Sequence, residues 1–333
     1  MLRVIDQSTV HRLLPMAECI EAESAALAAL SRGEAQLPLR TVIRVSGDRG
    51  FFGAMPAELG SPPALGAKLI TVFPGNEGTP LDSHQGIVVL FDPAKGAPVA
   101  VLDASSITAI RTAAVSAVAT RALAREDAGD LALLGSGVQA RTHLEAMALV
   151  RSLRRVRVWS RDSGHAREFS QWAAGRLGIT VEVAATVAAA VAGADLVCTV
   201  TGAREPVLRS EWISDGCHLN AVGASTAAAR ELDSALVARA RLIVDRLESA
   251  RNEAGDYLIP LREGLITEAH LLGELGDVLA GKVRARRSPA DITLFKSLGL
   301  AIEDLAAATI VLRKAATLGL GVQVELGGMR EGA

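Results

Sequence analysis

The chain carries a glycine-rich hexapeptide, Gly135-Ser-Gly-Val-Gln-Ala140, between a strand-like segment and a helix-like segment. The apolar run 131–134 before it has the length of a buried strand, and residues 138–150 after it resemble a helix. A G-x-G-x-x-A pattern between a strand and a helix is typical of dinucleotide-binding folds. Its first glycine allows a tight turn, its second lets the backbone approach a pyrophosphate, and its alanine lets helix and strand pack closely. The pattern predicts dinucleotide binding, and a βα turn without a ligand is the alternative.

Strand-like and helix-like segments alternate along the middle of the chain. The strand-like segments are largely apolar, as strands buried on both faces should be. They are residues 131–134, 156–159, 180–183, 196–200, 218–222 and 242–244. Residues 165–177 form a helix-like segment between two of them. This alternation predicts the α/β class, with a Rossmann-type doubly wound parallel sheet.

The first 105 residues follow another pattern. Residues 16–31 resemble an alanine-rich helix, and the segments after it are short and broken by prolines, which favours a mixed or antiparallel sheet. Residues 107–125 form a long small-residue helix that we expect to bridge two domains. In the tail, residues 302–318 predict a helix, and residues 322–326 alternate like a half-buried strand. A second, α+β domain is therefore expected.

Composition excludes several classes of partner. The 333 residues include 35 Lys and Arg against 37 Asp and Glu, so the net charge is -2. Nucleic acids and anionic membranes both attract a basic face, which this balance does not supply. Aromatic residues make up only 3% of the chain, which argues against a platform for stacking bases. We therefore expect neither nucleic acid nor a membrane as the main partner.

The cysteines and the apolar segments indicate a compartment. The three cysteines, Cys19, Cys198 and Cys217, form no C-x-x-C pair, which argues against a zinc site or a disulfide framework. The first residues lack the apolar core of a signal peptide. The longest uncharged alanine–valine stretch, 183–194, is shorter than the ~20 residues that span a bilayer. We expect a soluble protein of the reducing cytoplasm, with no metal.

The end of the second predicted strand bears on which dinucleotide is bound. An acidic residue there binds the ribose 2′-hydroxyl of NAD, whereas an arginine accommodates the 2′-phosphate of NADP. Ser160 and Arg161 follow Trp159 here, and Asp162 lies one residue further on. NADP(H) is favoured and NAD(H) stays possible. A solvated loop charge is the alternative role for Arg161.

Three separated cations lie among apolar or small residues: Arg40, Lys68 and Arg111. A charge in such surroundings is costly unless it is paired, and a guanidinium is well matched to a carboxylate. The partner is either an internal acid or a ligand, and sequence spacing does not show whether the three converge. Asp233 follows a strand of the dinucleotide-binding domain, where it could exchange a proton with a substrate nitrogen or cap the next helix.

Several segments together resemble the ornithine cyclodeaminase and mu-crystallin family over nearly the whole chain. The strings R-T-A-A and F-K-S-L-G-x-A-x-E-D are specific in combination. The matching segments are Leu39-Arg-Thr41, Met55-Pro56, Gly66-Ala-Lys-Leu69, Ser83-His-Gln-Gly86, Leu102-Asp103, Thr108-Ala-Ile-Arg-Thr-Ala-Ala-Val-Ser116, Gly135-Ser-Gly-Val-Gln-Ala140, Asn220-Ala-Val-Gly-Ala-Ser225, Glu231-Leu-Asp233 and Phe295-Lys-Ser-Leu-Gly-Leu-Ala-Ile-Glu-Asp304.

The resemblance implies two domains with different functions. Residues 1–112 with 303–333 would bind the substrate and form a homodimer, and residues 113–302 would form the Rossmann domain. Arg40, Lys68 and Arg111 would hold a substrate carboxylate, with Lys68 and Asp233 as catalytic residues. The cofactor would be lined by Ser83, Arg111, Thr112, Gly135, Gly137, Val138, Gln139, Ser160, Arg161, Thr199, Val222 and Ser297.

One departure from the family pattern bears on the substrate. Ornithine cyclodeaminases carry an acidic residue two places before the M-P dipeptide, and this chain has Gly53 there, as ketimine reductases do. The resemblance therefore implies an NAD(P)H-dependent reductase of 2-imino acids, such as Δ1-pyrroline-2-carboxylate, Δ1-piperideine-2-carboxylate or imines of 2-oxo acids. The alternatives are ornithine cyclodeaminase, an alanine dehydrogenase-like enzyme, an NADPH-dependent small-ligand binding protein and a catalytically silent dimer.

Overall fold

The computed structural model describes residues 1–76 and 78–328. The chain divides into two compact units. The first unit combines Met1–Arg111 with the chain from Leu300 onward, and the second unit is Thr112–Gly299. The bounds expected from the sequence differ from these by one residue at the first crossing and by three at the second.

Strands and helices are numbered in chain order. The strands are β1 (Leu2–Ile5), β2 (Ala35–Gln36), β3 (Thr41–Arg44), β4 (Phe51–Gly60), β5 (Pro63–Val72), β6 (His84–Phe91), β7 (Pro98–Asp103), β8 (Asp130–Leu134), β9 (Arg155–Trp159), β10 (Glu182–Val183), β11 (Leu196–Thr199), β12 (His218–Ala221), β13 (Arg241–Val244), β14 (Leu271–Glu274), β15 (Thr293–Lys296) and β16 (Val322–Val324). The α-helices are α1 (Gln7–Leu13), α2 (Met16–Ser31), α3 (Ala104–Leu123), α4 (Val138–Val150), α5 (Ser163–Leu177), α6 (Val187–Val191), α7 (Ser234–Arg239), α8 (Leu247–Glu253), α9 (Gly255–Arg262), α10 (Leu275–Leu279) and α11 (Ala301–Leu318).

The first unit contains a mixed sheet in the order β16-β1-β7-β6-β5-β4-β2, with β3 also paired to β4. Strands β4 to β7 form an antiparallel meander, and β1 pairs in parallel with β7. Helices α2 and α11 pack against each other and against this sheet. The packing follows the period-two pattern of the strands, because β5 buries Ala64, Gly66, Lys68 and Ile70 and turns the residues between them outward.

Gly66 allows α11 to lie close to β5. A Cβ atom at this position would stand 2.2 Å from the Val89 carbonyl oxygen and 3.0 Å from Leu305 Cδ2. A larger residue would therefore clash with the backbone of β6 and also crowd the Leu305 side chain of α11. This contact matters for the site, because the first turn of α11 carries Asp304, which pairs with Lys68.

The second unit contains an all-parallel sheet in the order β10-β9-β8-β11-β12-β15-β13-β14. The order reverses at β8, which lies between β9 and β11. In such sheets ligands bind outside the carboxyl ends of the strands at the point of reversal. The predicted Rossmann-type α/β fold is confirmed.

Most predicted elements appear within a few residues of their expected bounds. Helix α3 begins earlier than expected, at Ala104, because Asp103 Oδ1 accepts a hydrogen bond from the Ser106 amide at 2.8 Å and caps its first turn. The expectation of a half-buried strand at 322–326 was wrong in part. Strand β16 is shorter, pairs with β1 at the sheet edge, and exposes all three of its residues.

Candidate active site

Lys68 is a buried cation on the core face of β5. Its Nζ lies 2.7 Å from Asp304 Oδ2, and its side chain is 3% exposed against 0% for the carboxylate. Thr108 Oγ1 accepts a longer hydrogen bond from Nζ at 3.5 Å. The lysine occupies a position that would otherwise take an apolar side chain, so it depends on Asp304 for its charge balance.

Arg111 meets the same helix from α3. Its Nε donates to Asp304 Oδ1 at 2.9 Å, and its Nη1 donates to Glu303 Oε2 at 2.9 Å. Both acids lie in the first turn of α11, where the helix dipole favours negative charge. The Leu300 amide also donates to Glu303 Oε2, at 3.1 Å. Asp304 thus binds two cations that come from separate elements of the first unit.

The pKa values reflect burial and these ion pairs. Burial lowers the pKa of Lys68 to about 8, although the Asp304 carboxylate opposes this shift. Burial works to raise the pKa of Asp304, but Arg111 and Lys68 outweigh it, so the pKa lies below its ordinary value. For Arg111, burial is likewise outweighed by Asp304 and Glu303, and the pKa is raised. The site at neutral pH therefore contains ion pairs, with a lysine that loses its proton more readily than usual.

The sequence left open whether Lys68 and Arg111 pair with internal acids or with a ligand. In the structure, both cations form ion pairs with internal acids. The structure also leaves hydrogen-bond donors, because an ammonium has three N–H groups and a guanidinium has five. Within the described residues, Arg111 uses Nε and Nη1 for its acids, and no partner of Nη2 is found. Arg40 is half-buried just before β3, and its charge contributes to the low pKa of Lys68. Lys68 and Arg111 thus converge on Asp304, and the charge of Arg40 acts on the same lysine.

Glu303 and Asp304 received no role in the sequence analysis. They lie 192 and 193 residues from Arg111 along the chain, so spacing could not pair them. A signal was present: two adjacent acids lie in the first turn of a helix whose next residues, 305–308, are all buried and apolar. Acids in such a position require buried cations.

The glycine-rich turn of the second unit has the shape that a pyrophosphate needs. Gly135 has a φ of 116°, and a Cβ there would lie 2.7 Å from the Val200 carbonyl oxygen. Gly137 is the N-cap of α4, has nothing within 4 Å of a Cβ position, and supplies no side-chain cap. The first N–H groups of this 13-residue helix are therefore available to an anion. The residues present fit a dinucleotide.

The turn after β9 contains the residues expected to distinguish NADP from NAD. Asp162 caps α5, accepting from the Gly164 amide at 2.6 Å and the His165 amide at 3.2 Å. Arg161 is exposed, and no acid of the described chain lies within salt-bridge distance of it. Ser160 is half-buried beside it.

The other cofactor candidates lie on several elements. Thr199, Val222 and Ser297 end or follow β11, β12 and β15, which are neighbours in the sheet. Val138 and Gln139 begin α4, and Thr112 is buried in α3. Ser83 belongs to the first unit, where its hydroxyl lies 3.1 Å from His84 Nδ1.

Asp233 occupies the capping role that the sequence analysis gave as its alternative. Its Oδ1 accepts from the Leu236 amide at 2.8 Å, at the N-terminus of α7. The Ser210 amide donates to the same carboxylate at 3.1 Å. Within the described residues, its carboxylate thus accepts from the backbone amides of Ser210 and Leu236.

Neither a metal cluster nor a spanning helix is found in residues 1–76 and 78–328. No three His, Cys, Asp or Glu side chains there are arranged to hold a metal ion. None of the helices in that part of the chain is both long and apolar enough to cross a bilayer.

Comparison with known proteins gives a consistent result. The model of the ornithine cyclodeaminase/mu-crystallin family matches residues 2–318. Ketimine reductase mu-crystallin from Mus musculus is 44% identical over 290 residues, covering 86% of this chain and 88% of that protein.

Two solved structures align over almost the whole chain. Thermococcus litoralis Δ1-pyrroline-2-carboxylate reductase, in complex with NADH and L-proline, is 39% identical with a TM-score of 0.94 and covers 97% of this chain and 100% of its own. An archaeal alanine dehydrogenase dimer with bound NAD is 31% identical with a TM-score of 0.93, covering 98% and 99% respectively. The chain described here belongs to the ornithine cyclodeaminase/mu-crystallin family.

Proposed function

We propose that this chain is an NADPH-dependent reductase of small cyclic 2-imino acids, such as Δ1-pyrroline-2-carboxylate or Δ1-piperideine-2-carboxylate. The observation that carries the proposal is the buried pair of cations, Lys68 and Arg111, that shares Asp304. Fixed cations of this kind are suited to a carboxylate, because their orientation is set before the ligand arrives. The relatives named as ketimine and pyrroline-2-carboxylate reductases support the same reaction.

The proposed role of each residue depends on the N–H groups that it can offer to the substrate. A bound reduced nicotinamide supplies the hydride to the C=N carbon. Arg40 and Arg111 hold the substrate carboxylate, with Arg111 using its Nη2 group. Lys68 Nζ carries a proton with a pKa of about 8 and passes it to the nitrogen as the C=N electron pair moves there. Solvent then restores the proton. Asp233, the other candidate, caps α7, so we assign the proton to Lys68.

NADP(H) is the proposed cofactor, and NAD(H) is the alternative. No acid of the described residues pairs with Arg161, so its guanidinium can pair with a 2′-phosphate, and Ser160 beside it can donate a hydrogen bond. Asp162 is the one acid of this turn that could bind a ribose 2′-hydroxyl, and it is committed to capping α5. The dinucleotide loop is compatible with both cofactors.

The substrate class follows from the residues near Lys68. Gly53 lies on the core face of β4, directly opposite Ile70 and diagonal to Lys68. With glycine there, position 53 offers no carboxylate to a second, distal amine of the substrate. A cyclic imino acid with one carboxylate suits this arrangement better than ornithine does.

The test is a panel of substrates with the purified full-length chain. We expect NADPH oxidation with Δ1-piperideine-2-carboxylate or Δ1-pyrroline-2-carboxylate, followed by absorbance. Release of ammonia from ornithine, without imine reduction, would replace the proposal with a cyclodeaminase. Turnover of pyruvate and ammonia alone would favour the alanine dehydrogenase alternative. NADPH binding without turnover of any imino acid would indicate a binding protein.

We also propose a homodimer formed through the first unit. The face of its sheet opposite α2 and α11 presents Leu65, Leu69, Ile87 and Val89, all partly exposed. Adjacent strands carry these side chains side by side, since Leu69 pairs with Ile87. A contiguous apolar sheet face of this kind is typical of an interface.

Light scattering tests the dimer directly. We expect twice the chain mass for the wild type and the single mass for Leu69→Glu, which places a charge in the centre of this face. Thr71→Glu, at the end of the same strand, is the control and should remain dimeric. A wild-type chain that is monomeric at micromolar concentration would contradict the proposal.

A further inference from the structure

Glu231 is a fully buried acid that the proposed mechanism does not use. It is 0% exposed, and its carboxylate accepts four hydrogen bonds, each 2.7 Å long. Oε1 accepts from the amide and the hydroxyl of Thr201, and Oε2 accepts from Thr199 Oγ1 and the Gly223 amide. The four donors belong to the last residue of β11 and to the segments that follow β11 and β12, so one side chain joins the carboxyl ends of two adjacent strands.

A buried ion pair holds the backbone of Glu231 in place. The amides of Glu231 and Leu232 both donate to Asp256 Oδ1, at 2.9 and 3.0 Å. Lys296, the last residue of β15, lies 3.1 Å from Asp256 Oδ2 and donates to the Ala221 carbonyl oxygen at 3.2 Å. The third strand of this edge is thus tied to the same network.

Gly223 shows how closely the turns after β11 and β12 pack against each other and against Glu231. A Cβ atom at this position would lie 2.1 Å from the Thr201 carbonyl oxygen and 2.6 Å from Glu231 Oε1. The turn after β12 can therefore approach the turn after β11 this closely only if residue 223 is glycine. Burial raises the pKa of Glu231, and Lys296 opposes that rise. Because each carboxylate oxygen accepts a backbone N–H, the ionised form is the one these donors suit.

We propose that Glu231 is a positioning residue for hydride transfer, which sets the place of the nicotinamide ring by holding Thr199 and Thr201 against Gly223. The inference rests on the proposed function, with the nicotinamide bound where Thr199 and Val222 end or follow β11 and β12, because ligands of such sheets bind outside the carboxyl ends of the strands. Glu231 itself acts through these segments and does not touch the substrate. Its loss should let the ring move while the adenosine end, at β9, stays bound.

The first experiment needs no turnover. Glu231→Gln keeps the size of the side chain but replaces one acceptor with a donor that faces N–H groups. We expect its Kd for NADPH to rise about tenfold, with an unchanged Kd for 2′,5′-ADP, which lacks the nicotinamide. Thr201→Val removes one donor and leaves the acid in place, so it should give a smaller change of the same kind. If Glu231→Gln does not fold, Thr201→Val replaces it as the test variant.

The second experiment reads the ring geometry during turnover. With NADPH deuterated at one face of C4, we expect the wild type to transfer hydrogen from a single face, and the variants to transfer from both. We expect kcat to fall about tenfold to a hundredfold, with a smaller change in the imino acid KM. Glu263→Gln, an acid of the same unit that binds Arg230 and Ser234, is the matched control with unchanged values.

Two results would overturn the inference. One is wild-type facial selectivity and kcat in a folded Glu231→Gln, and the other is equal weakening of NADPH and 2′,5′-ADP, which a purely structural role predicts. A wild-type chain that reduces no imino acid would instead remove the proposed function, while the comparison of the two ligands would still decide the role of Glu231.

Discussion

Lys68 Nζ lies 2.7 Å from Asp304 Oδ2 in the interior of the first unit, and Arg111 Nε binds the other oxygen of the same carboxylate at 2.9 Å. One acid therefore orients two cations from different elements. The ion pairs compensate the buried charges. This relationship makes the site sensitive to pH and to loss of the acid in separate ways.

The pH dependence of anion binding should follow the Lys68 ammonium. Its pKa in the folded chain is about 8, so the charged form prevails below that value and is lost as pH rises through it. We expect the Kd of pyrrole-2-carboxylate, whose charge is constant over this range, to be flat below pH 8. Above it, the Kd should rise by up to about tenfold per pH unit. Isothermal titration calorimetry checks this.

Lys68→Met supplies the control for that profile. The variant lacks the ammonium that titrates near pH 8, so we expect it to bind more weakly than the wild type below pH 8 and its Kd to show no step there. A wild-type Kd that stays constant from pH 7 to 10 would show that the ammonium does not contribute to binding. A step that survives in Lys68→Met would assign the titration to another group.

Removal of Asp304 should destabilise the chain strongly. Asp304→Asn leaves Lys68 and Arg111 buried with reduced compensation, and breaking a buried pair costs about 3–5 kcal/mol. Urea unfolding measures the change. Glu18→Gln is the matched control, because the Glu18–Lys314 pair has the same 2.7 Å length, but its acid is 47% exposed. Exposed pairs contribute about 0–1 kcal/mol. Equal effects of the two substitutions would contradict this account.

The fold of the second unit was largely predictable, because its strands are buried on both faces and therefore appear in the sequence as apolar runs. Strand β15 is the instructive exception. It lies in the middle of the sheet but ends in Lys296, which is fully buried, and a lysine is not expected there. Its charge is balanced by Asp256, which lies 40 residues earlier on α9. No local pattern could have revealed this compensation.

The site was predictable in its residue types but not in its pairing. Apolar surroundings correctly marked Lys68 and Arg111 as cations that need partners. Their partner Asp304 lies on a helix near the other end of the chain, so only the folded first unit brings the three together. For Asp233, both a catalytic and a capping role fitted the sequence, and only the hydrogen bonds show the cap.

Asp233→Ala should affect stability rather than chemistry. The substitution removes the cap of α7 and the bond to the Ser210 amide, which should cost about 0.5–2 kcal/mol of unfolding free energy. We expect kcat of the folded enzyme to be retained and its alkaline limb to stay unchanged. Thermal unfolding and a pH–rate profile measure both. A large fall in kcat with unaltered stability would return the proton to Asp233.

Gly53→Glu should weaken binding of imino acids. Its Cβ would lie 3.3 Å from Ile70 Cγ2, so the side chain fits only if Ile70 shifts slightly. The new carboxylate would then share a face with Lys68 and repel the substrate carboxylate. We expect KM for Δ1-piperideine-2-carboxylate to rise at least about tenfold. Gly53→Gln has similar size without the charge and should raise KM less. Equal KM values in the two variants would show that size alone is responsible.

Arg161→Ala should change the choice of cofactor. A guanidinium paired with the 2′-phosphate contributes about 1.5–3 kcal/mol, so kcat/KM with NADPH should fall about tenfold or more. The value with NADH should stay the same, since NADH lacks that phosphate. Arg167→Ala is the matched control, because Arg167 is exposed on α5 and binds Ser163 Oγ at 3.3 Å. Equal losses with both cofactors would mean that Arg161 does not recognise the phosphate, and the preference for NADPH would have to be withdrawn.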